Sequence, residues 1–208
     1  MCGIAGYSLK VDARIDRTLA AQALLAGIAE RGADAVGYAH RSHGEAVSVL
    51  KQRSGASAFL PELTVPASSV EVLLHVRDYT KGHPTIEANN HPVRHGHIVG
   101  VHNGIILNDE EIFERHAIQR YVSSMTVDTE AIFALVEGFG PWGKTLEQLR
   151  GSMATAWVDE RERGAVYLAR GVGRPLWTGE SRDGIFFAST KHALEVSEEF
   201  LGLRLRKR

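Results

Sequence analysis

Short apolar runs bounded by glycine, proline and charged residues dominate both ends of the chain, and helical spacing is confined to a few segments. Residues 3–9 (Gly-Ile-Ala-Gly-Tyr-Ser-Leu) read as a strand that places Cys2 at a sheet end. Residues 16–30 carry Leu19, Ala23, Leu24, Ala26, Gly27 and Ile28 at roughly helical spacing, which predicts a helix packed on that sheet. A glycine-punctuated turn from Arg31 then runs into a strand through Ala39, and 45–51 alternates as its partner across a hairpin at His40–Gly44. A short helix near 56–60 precedes an apolar strand at Val70–Val76. Asp78–His97 is a long irregular stretch, a length that in a compact domain usually signals function or disorder. Ile98–His102 reads as a buried strand, Asn103-Gly104 as a turn, and Ile105–Leu107 as the return. Asn108 is expected to cap a helix opening on Asp109-Glu110-Glu111, and Asp128 to cap a helix over 129–138. After a short helix at 144–150, strands are expected at Met153–Val158, Ala165–Ala169, Pro175–Thr178 and Ile185–Ala188. A short helix follows from Thr190 to about Val196. This order predicts an α+β chain of two stacked, mainly antiparallel sheets with helices outside, and no repeat or linker divides residues 1–208.

Composition narrows the class without naming a chemistry. A chain of 208 residues, 44% hydrophobic and 24% charged, suits one globular domain. A net charge of -1 supplies no global field for nucleic acid or an anionic membrane, so neither partner is expected. No apolar run approaches the ~18–20 residues of a membrane span, and no basic-then-apolar leader opens the chain. A single cysteine excludes an internal disulfide framework and fits a reducing cytoplasm. The basic residues 203–208 read as a solvated tail.

That single cysteine is Cys2. With Met1 removed, it carries a thiol and a free α-amine on one residue, and the amine, with a reference pKa near ~8, can serve as the base for the thiol. The alternative is a buried small hydrophobe at the start of a strand. Gly3 and Gly6 are expected to let the backbone pass close to a substrate. His91, His95, His97 and His102 cluster, but no second cysteine or closely spaced carboxylate completes a metal-ligand set, so no metal is expected.

Six motifs occur in order: Cys2-Gly3-Ile4-Ala5-Gly6; Arg31-Gly32-x-Asp34-x-x-Gly37; Val76-Arg77-x-x-Thr80-x-Gly82; Asn90-His91-Pro92; His102-Asn103-Gly104-Ile105-Ile106-x-Asn108; and Asp128-Thr129-Glu130. Together they resemble the glutaminase domain of class II, N-terminal-nucleophile glutamine amidotransferases. The wording is most similar to the amino-terminal half of glucosamine-6-phosphate synthase, with amidophosphoribosyltransferase next. The resemblance covers nearly the whole chain, since Gly151-Ser152-Met153-Ala154 and Phe187-Ala188-Ser189 match later strands.

The resemblance implies a four-layer αββα N-terminal-nucleophile hydrolase fold and no cofactor. It implies that Cys2 attacks the carboxamide of L-glutamine, with the Asn103 side-chain amide and the Gly104 backbone N–H holding the oxyanion. Arg77 would bind the α-carboxylate and Asp128 the α-ammonium, while Thr80 and Gly82 belong to a loop closing over the same substrate. Arg31, Gly32 and Asp34 would be structural neighbours of the nucleophile, Asp34 pairing with an arginine; His91 is either scaffold or contact. Two positions depart from the glucosamine-forming members: Asp78 stands where an aromatic residue is usual, and Lys81 where a histidine is usual. The expected products are glutamate and ammonia, the ammonia passing to a separate synthase subunit unless the sequence is a piece of a longer protein. An N-terminal-cysteine amidase acting on another amide, or a non-catalytic glutamine-sensing domain, are the alternatives.

Overall fold

The computed structural model describes residues 1–208. In chain order it forms β1 (Gly3–Leu9), α1 (Arg17–Ile28), β2 (Ala35–Ser42), β3 (Ser48–Gln52), α2 (Ala56–Phe59), β4 (Ser69–Arg77), β5 (Val93–His95) and β6 (Ile98–Ile106). There follow α3 (Asp109–Arg115), α4 (Glu130–Phe139), α5 (Gly143–Leu146), β7 (Gly151–Asp159), β8 (Tyr167–Arg170), β9 (Trp177–Ser181), β10 (Gly184–Ala188), α6 (Lys191–Leu201) and β11 (Arg206–Lys207). Seven strands make one antiparallel sheet in the order β11-β9-β10-β1-β4-β2-β3, and four make a second, β5-β6-β7-β8.

Side-chain alternation sorts these strands into layers. On β4, Val72, Leu74 and Val76 face outward and pack with Leu24, Leu25 and Ile28 of α1 and Leu194 of α6. Leu73 faces the other way and meets Ile4 and Phe187 of its own sheet and Val99, Val101, Ala154 and Ala156 of the second. The outer face of the second sheet, with Ile98, Ile106 and Trp157, is covered by Ile132, Phe133 and Val136 of α4. The result is helix, sheet, sheet, helix. The same alternation carries His75 and Arg77 onto the inter-sheet face after Leu73, and Asn103 onto it after Val99 and Val101.

Local chemistry explains the helix ends. Asp16 accepts the Leu19 N–H at 2.9 Å to start α1, and Thr190 accepts the Ala193 N–H at 3.2 Å to start α6. The caps expected at Asn108 and Asp128 do not form. Asn108 instead clamps the chain before β7, donating to the Gln148 carbonyl at 3.0 Å and accepting the Arg150 N–H at 2.7 Å. Asp128 is drawn to β6, as described below.

Four other sequence expectations are corrected. The irregular stretch 78–97 contains β5, and β3 begins at Ser48 rather than at 45. The basic tail is an edge strand: β11 pairs with β9, Leu205 is buried, and Lys207 reaches Glu198. Asn103-Gly104 is no turn, because β6 runs unbroken from Ile98 opposite Asp159 to Ile106 opposite Gly151. A turn needs the chain to reverse, and here the β7 partner continues past both residues. No helix is long and apolar enough to cross a membrane.

Candidate active site

Pairing of Gly3 with Val76 sets Cys2 beside the end of β4. The Cys2 Sγ lies 3.3 Å from the Asp78 carbonyl and accepts the Asp78 N–H at 3.4 Å. Burial pushes the thiol above its ordinary value, opposed by the Asp78 N–H and the Arg77 cation. Arg31 Nε donates to the Cys2 carbonyl at 3.0 Å. In this form of the chain Met1 is present, so the Cys2 nitrogen is a peptide amide. The Met1 α-ammonium pairs with the Asp78 carboxylate, and Arg174 Nη1 lies 3.1 Å from the Met1 sulfur.

The turn before β2 braces this corner. Gly32 runs against β4 so closely that a Cβ would lie 2.4 Å from the Arg77 carbonyl carbon and oxygen, which only glycine permits. Asp34 donates its N–H to the Arg77 carbonyl at 3.0 Å, and its carboxylate accepts the Tyr79 N–H at 2.8 Å. The expected Asp34–arginine pair is therefore replaced by a backbone contact that holds the start of the 78–82 loop. Gly3 and Gly6 also serve packing rather than substrate approach: their missing side chains make room for Val76 and for the Val72 carbonyl and Phe187 ring.

Arg77 is 2% exposed, and all its bonds go to neutral oxygens. Nη1 donates to Asn90 Oδ1, and Nη2 to the carbonyls of Lys81, at 3.0 Å, and Gly82. Burial lowers its pKa, with Cys2, Asp128 and Asp34 pulling the other way. Nε–H and one Nη1–H have no partner in the protein. Asp128 is the opposite charge across the same space. Its Oδ2 accepts the Ile106 N–H at 2.6 Å, which is why it does not cap α4. The other buried carboxylates, Glu71, Asp109, Glu130 and Asp159, all lie within ion-pair distance of an arginine, lysine or histidine. Asp128 alone has none.

Asn103 is 1% exposed, and its Nδ2 has no hydrogen-bond partner. A buried amide donor left unpaired costs roughly 1–3 kcal/mol, so it marks a place where an acceptor belongs. Gly104 follows with φ +152, and a Cβ there would sit 1.9 Å from the Ser152 carbonyl.

Three histidines are buried behind these groups. His75 and His91 stack with ring centroids 4.0 Å apart, and His102 lies beside Thr129. Burial, helped by the Arg77 cation, pushes His75 down to about 3; burial likewise depresses His91 and His102, Asp128 partly opposing for the latter. Below pH ~6.5 the unfolded chain takes protons that the folded chain refuses, so stability is full above that pH and is lost as pH falls. Each such histidine contributes a slope of about 1.4 kcal/mol per pH unit in this window. Urea midpoints followed by tryptophan fluorescence are expected to hold between about pH 8 and 7 and to drop steadily below about 6.5. A flat profile down to about pH 5 would contradict the buried neutral set.

Cys2, Arg77, Thr80, His91, Gly104 and Asp128 line one cleft, together with Asp78, Lys81, His102 and Thr129. Arg31, Gly32, Asp34 and Gly82 stand behind it and support its walls. The cleft is small, with about 10 Å³ of free volume, room for one water. Of the two departures, Lys81 holds its loop, with Nζ reaching Asp109 at 2.6 Å and Glu110 at 3.4 Å on α3, while Asp78 pairs with the Met1 amine, a contact that removal of Met1 abolishes. A larger cavity of about 410 Å³ lies elsewhere, lined by Ile106, Leu146, Leu149 and Met153, and contains no nucleophile. The roles of Asn90, Thr129, His75 and His102 are not evident in the sequence. Asn90, Thr129 and His102 lay inside quoted motifs, but their partners are distant in sequence.

A model of the glutamine amidotransferase domain family matches residues 76–196. The chain is 30% identical to a glutamine–fructose-6-phosphate aminotransferase (isomerizing) of Halalkalibacterium halodurans over 97% of its own length and 34% of the relative's. It thus spans about a third of the length of the curated relatives it matches. Among solved structures it is similar to the glutamine phosphoribosylpyrophosphate amidotransferase of B. subtilis, with a TM-score of 0.72, 20% identity, and 98% of this chain and 44% of that one covered. A glutamine aminotransferase class-II domain protein from Silicibacter pomeroyi superposes with a TM-score of 0.57 at 19% identity, over 90% of this chain and 88% of that one. With two antiparallel sheets, Cys2 at the head of the first strand and the family match spanning Arg77 to Asp128, the chain belongs to the class II glutamine amidotransferase domain family.

Proposed function

We propose that residues 1–208 form one glutaminase domain that hydrolyses the side-chain amide of L-glutamine to glutamate and ammonia through Cys2. Removal of Met1 converts the Cys2 nitrogen into a free α-amine. That amine takes the thiol proton, the sulfur attacks the carboxamide carbon, and an oxyanion forms between Asn103 Nδ2 and the Gly104 N–H. Collapse breaks the C–N bond, the α-ammonium returns the proton to the departing ammonia, and a thioester remains. The amine then deprotonates water, which attacks the thioester; C–S cleavage releases glutamate and restores the thiol.

The observation that carries this reading is Asp128, the one buried carboxylate without a cation, in the same cleft as the thiol and the half-satisfied Arg77. An isolated buried charge is costly, and an ammonium group of the substrate supplies the missing partner. The unpaired Nε–H of the Arg77 guanidinium is a charged donor for the α-carboxylate. Because the cleft is too small for glutamine, the substrate enters when the 78–82 loop lifts, with Thr80 and Gly82 riding on it.

Ammonia released into neutral water is protonated and lost as a nucleophile, so the reaction is useful when the domain sits on an acceptor. The threefold greater length of the aminotransferase relatives supports an ammonia-accepting synthase as partner, and the lone cysteine supports a cytoplasmic setting. The test uses protein whose loss of Met1 has been verified by mass. Hydrolysis is expected of L-glutamine, read as glutamate and ammonia, and not of L-asparagine, read as aspartate and ammonia, or of N-acyl amino acids, read as free amino acid. Equal turnover of unrelated amides would favour the broader amidase, and binding of glutamine without turnover would favour a sensor.

A further inference from the structure

Two carbonyl acceptors fix the protons of the buried histidines. His102 Nε2 lies 3.3 Å from the Ser152 carbonyl, and His75 Nε2 lies 3.1 Å from the His102 carbonyl. A carbonyl only accepts, so both Nε2 atoms carry hydrogen. None of His75, His91 and His102 has a carboxylate partner, all are at most 4% exposed, and each is therefore a neutral ring with one bare nitrogen. The bare Nδ1 of His102 lies 3.0 Å from Thr129 Oγ1, so the Thr129 hydroxyl must donate to it. Having spent its one proton, Oγ1 can only accept from His91 Nε2 at 2.9 Å. His91 Nδ1 and His75 Nδ1 are then bare as well, and these are the two ring nitrogens of the trio left without partners. Every proton in the set has one assignment.

This chain of bonds joins the two halves of the cleft. At one end it grips His102, whose next residues are Asn103 and Gly104, and whose carbonyl is held by His75. At its centre is Thr129, the residue after Asp128. At the other end is His91, next to Asn90, which holds Arg77. We infer that Thr129 is a positioning residue: its hydroxyl, donating to His102 and accepting from His91, fixes Asp128 relative to Arg77 and the Asn103-Gly104 strand, so that the spacing between the carboxylate and ammonium sites matches one amino acid. The inference rests on the glutaminase reading above.

Thr129→Val keeps the shape and removes the hydroxyl, leaving a buried N–H and a bare nitrogen facing each other. The expected result is an increase in KM for glutamine of about tenfold with kcat within about twofold, and recovery by Thr129→Ser, which restores the hydroxyl. A parallel fall in kcat with unchanged KM, or a Thr129→Ser variant as poor as Thr129→Val, would overturn it. Nitrogen-15 NMR of histidine-labelled wild-type protein reads the network without turnover, and without relying on a variant that must fold. Nε2–H tautomers for His75, His91 and His102 are expected, and an Nδ1–H tautomer at His91 or His102 overturns the assignment of Thr129. If matured wild type neither binds nor hydrolyses glutamine, the functional reading fails and takes the positioning role with it, while the NMR pattern still reports whether the bonds exist.

Discussion

Cys2→Ala is expected to lower glutamine hydrolysis by about 10⁴-fold or more, the scale on which loss of a covalent nucleophile acts in enzymes whose groups work as a unit. No other residue takes its place, because Cys2 is the only cysteine and no serine or threonine hydroxyl among the cleft-lining residues is hydrogen-bonded to a base except Thr129, which is committed to two histidines. Stability should change little. Cys2 is only partly buried, and its weak contacts are with the backbone of Asp78. Binding should therefore survive, and Cys2→Ala is expected to retain glutamine affinity, measurable by calorimetry, while steady-state glutamate release vanishes. Residual turnover within about tenfold of wild type would mean that the sulfur is not the nucleophile.

Arg77→Gln is expected to reduce kcat/KM for glutamine by roughly 10–10²-fold, chiefly through KM. A charge-assisted bond to the substrate carboxylate disappears, contributing roughly 1.5–3 kcal/mol. Arg77 also donates to Asn90 and to the carbonyls of Lys81 and Gly82, so the variant loosens the 78–82 loop as well. Arg77→Lys separates the two contributions, because it keeps the charge and loses the planar set of donors that holds the loop; it should recover only part of the loss. The readout is a KM series with glutamine and with glutamine amide, which lacks the α-carboxylate. Wild type should discriminate strongly between the two, and Arg77→Gln should barely discriminate. Unchanged discrimination in the variant would place the carboxylate elsewhere.

Much of this arrangement is legible in the chain, and the reasons are local. The β1 and β4 strands, the Asp16 and Thr190 caps and the helices they start follow from short-range periodicity and side-chain chemistry. Cys2, Arg77, Gly104 and Asp128 come together as the ordered motifs imply. What is not legible depends on partners distant in sequence. Asn103-Gly104 carries the pattern of a turn, and only the neighbouring β7 strand keeps it extended. Asp128 has the position of a cap, but the Ile106 N–H competes for its carboxylate. The tail looks solvated because its charges dominate, while Leu205 and the exposed edge of β9 decide its place. The proton order around Thr129 depends on two carbonyls, those of Ser152 and His102, that no motif connects. Of the departures at Asp78 and Lys81, Lys81 is held by a partner of opposite charge on α3, and Asp78 pairs with the Met1 amine only while Met1 is attached.

The contact between the Met1 amine and Asp78 has a chemical consequence. While Met1 is attached, the base that the proposed reaction needs is locked in a peptide bond and the terminal charge is held by the loop residue beside the thiol. In the proposed reaction, removal of Met1 is thus expected to precede activity.

The most direct measurement is the intact mass of the purified protein after exposure to diazo-oxo-norleucine, an electrophilic analogue of glutamine. The account predicts a mass lacking Met1 and carrying a single adduct, with protection by excess glutamine and no adduct in Cys2→Ala. A protein that has lost Met1 and gains no adduct, or one that gains the same adduct in Cys2→Ala, would contradict the assignment of Cys2 as the glutamine-attacking nucleophile.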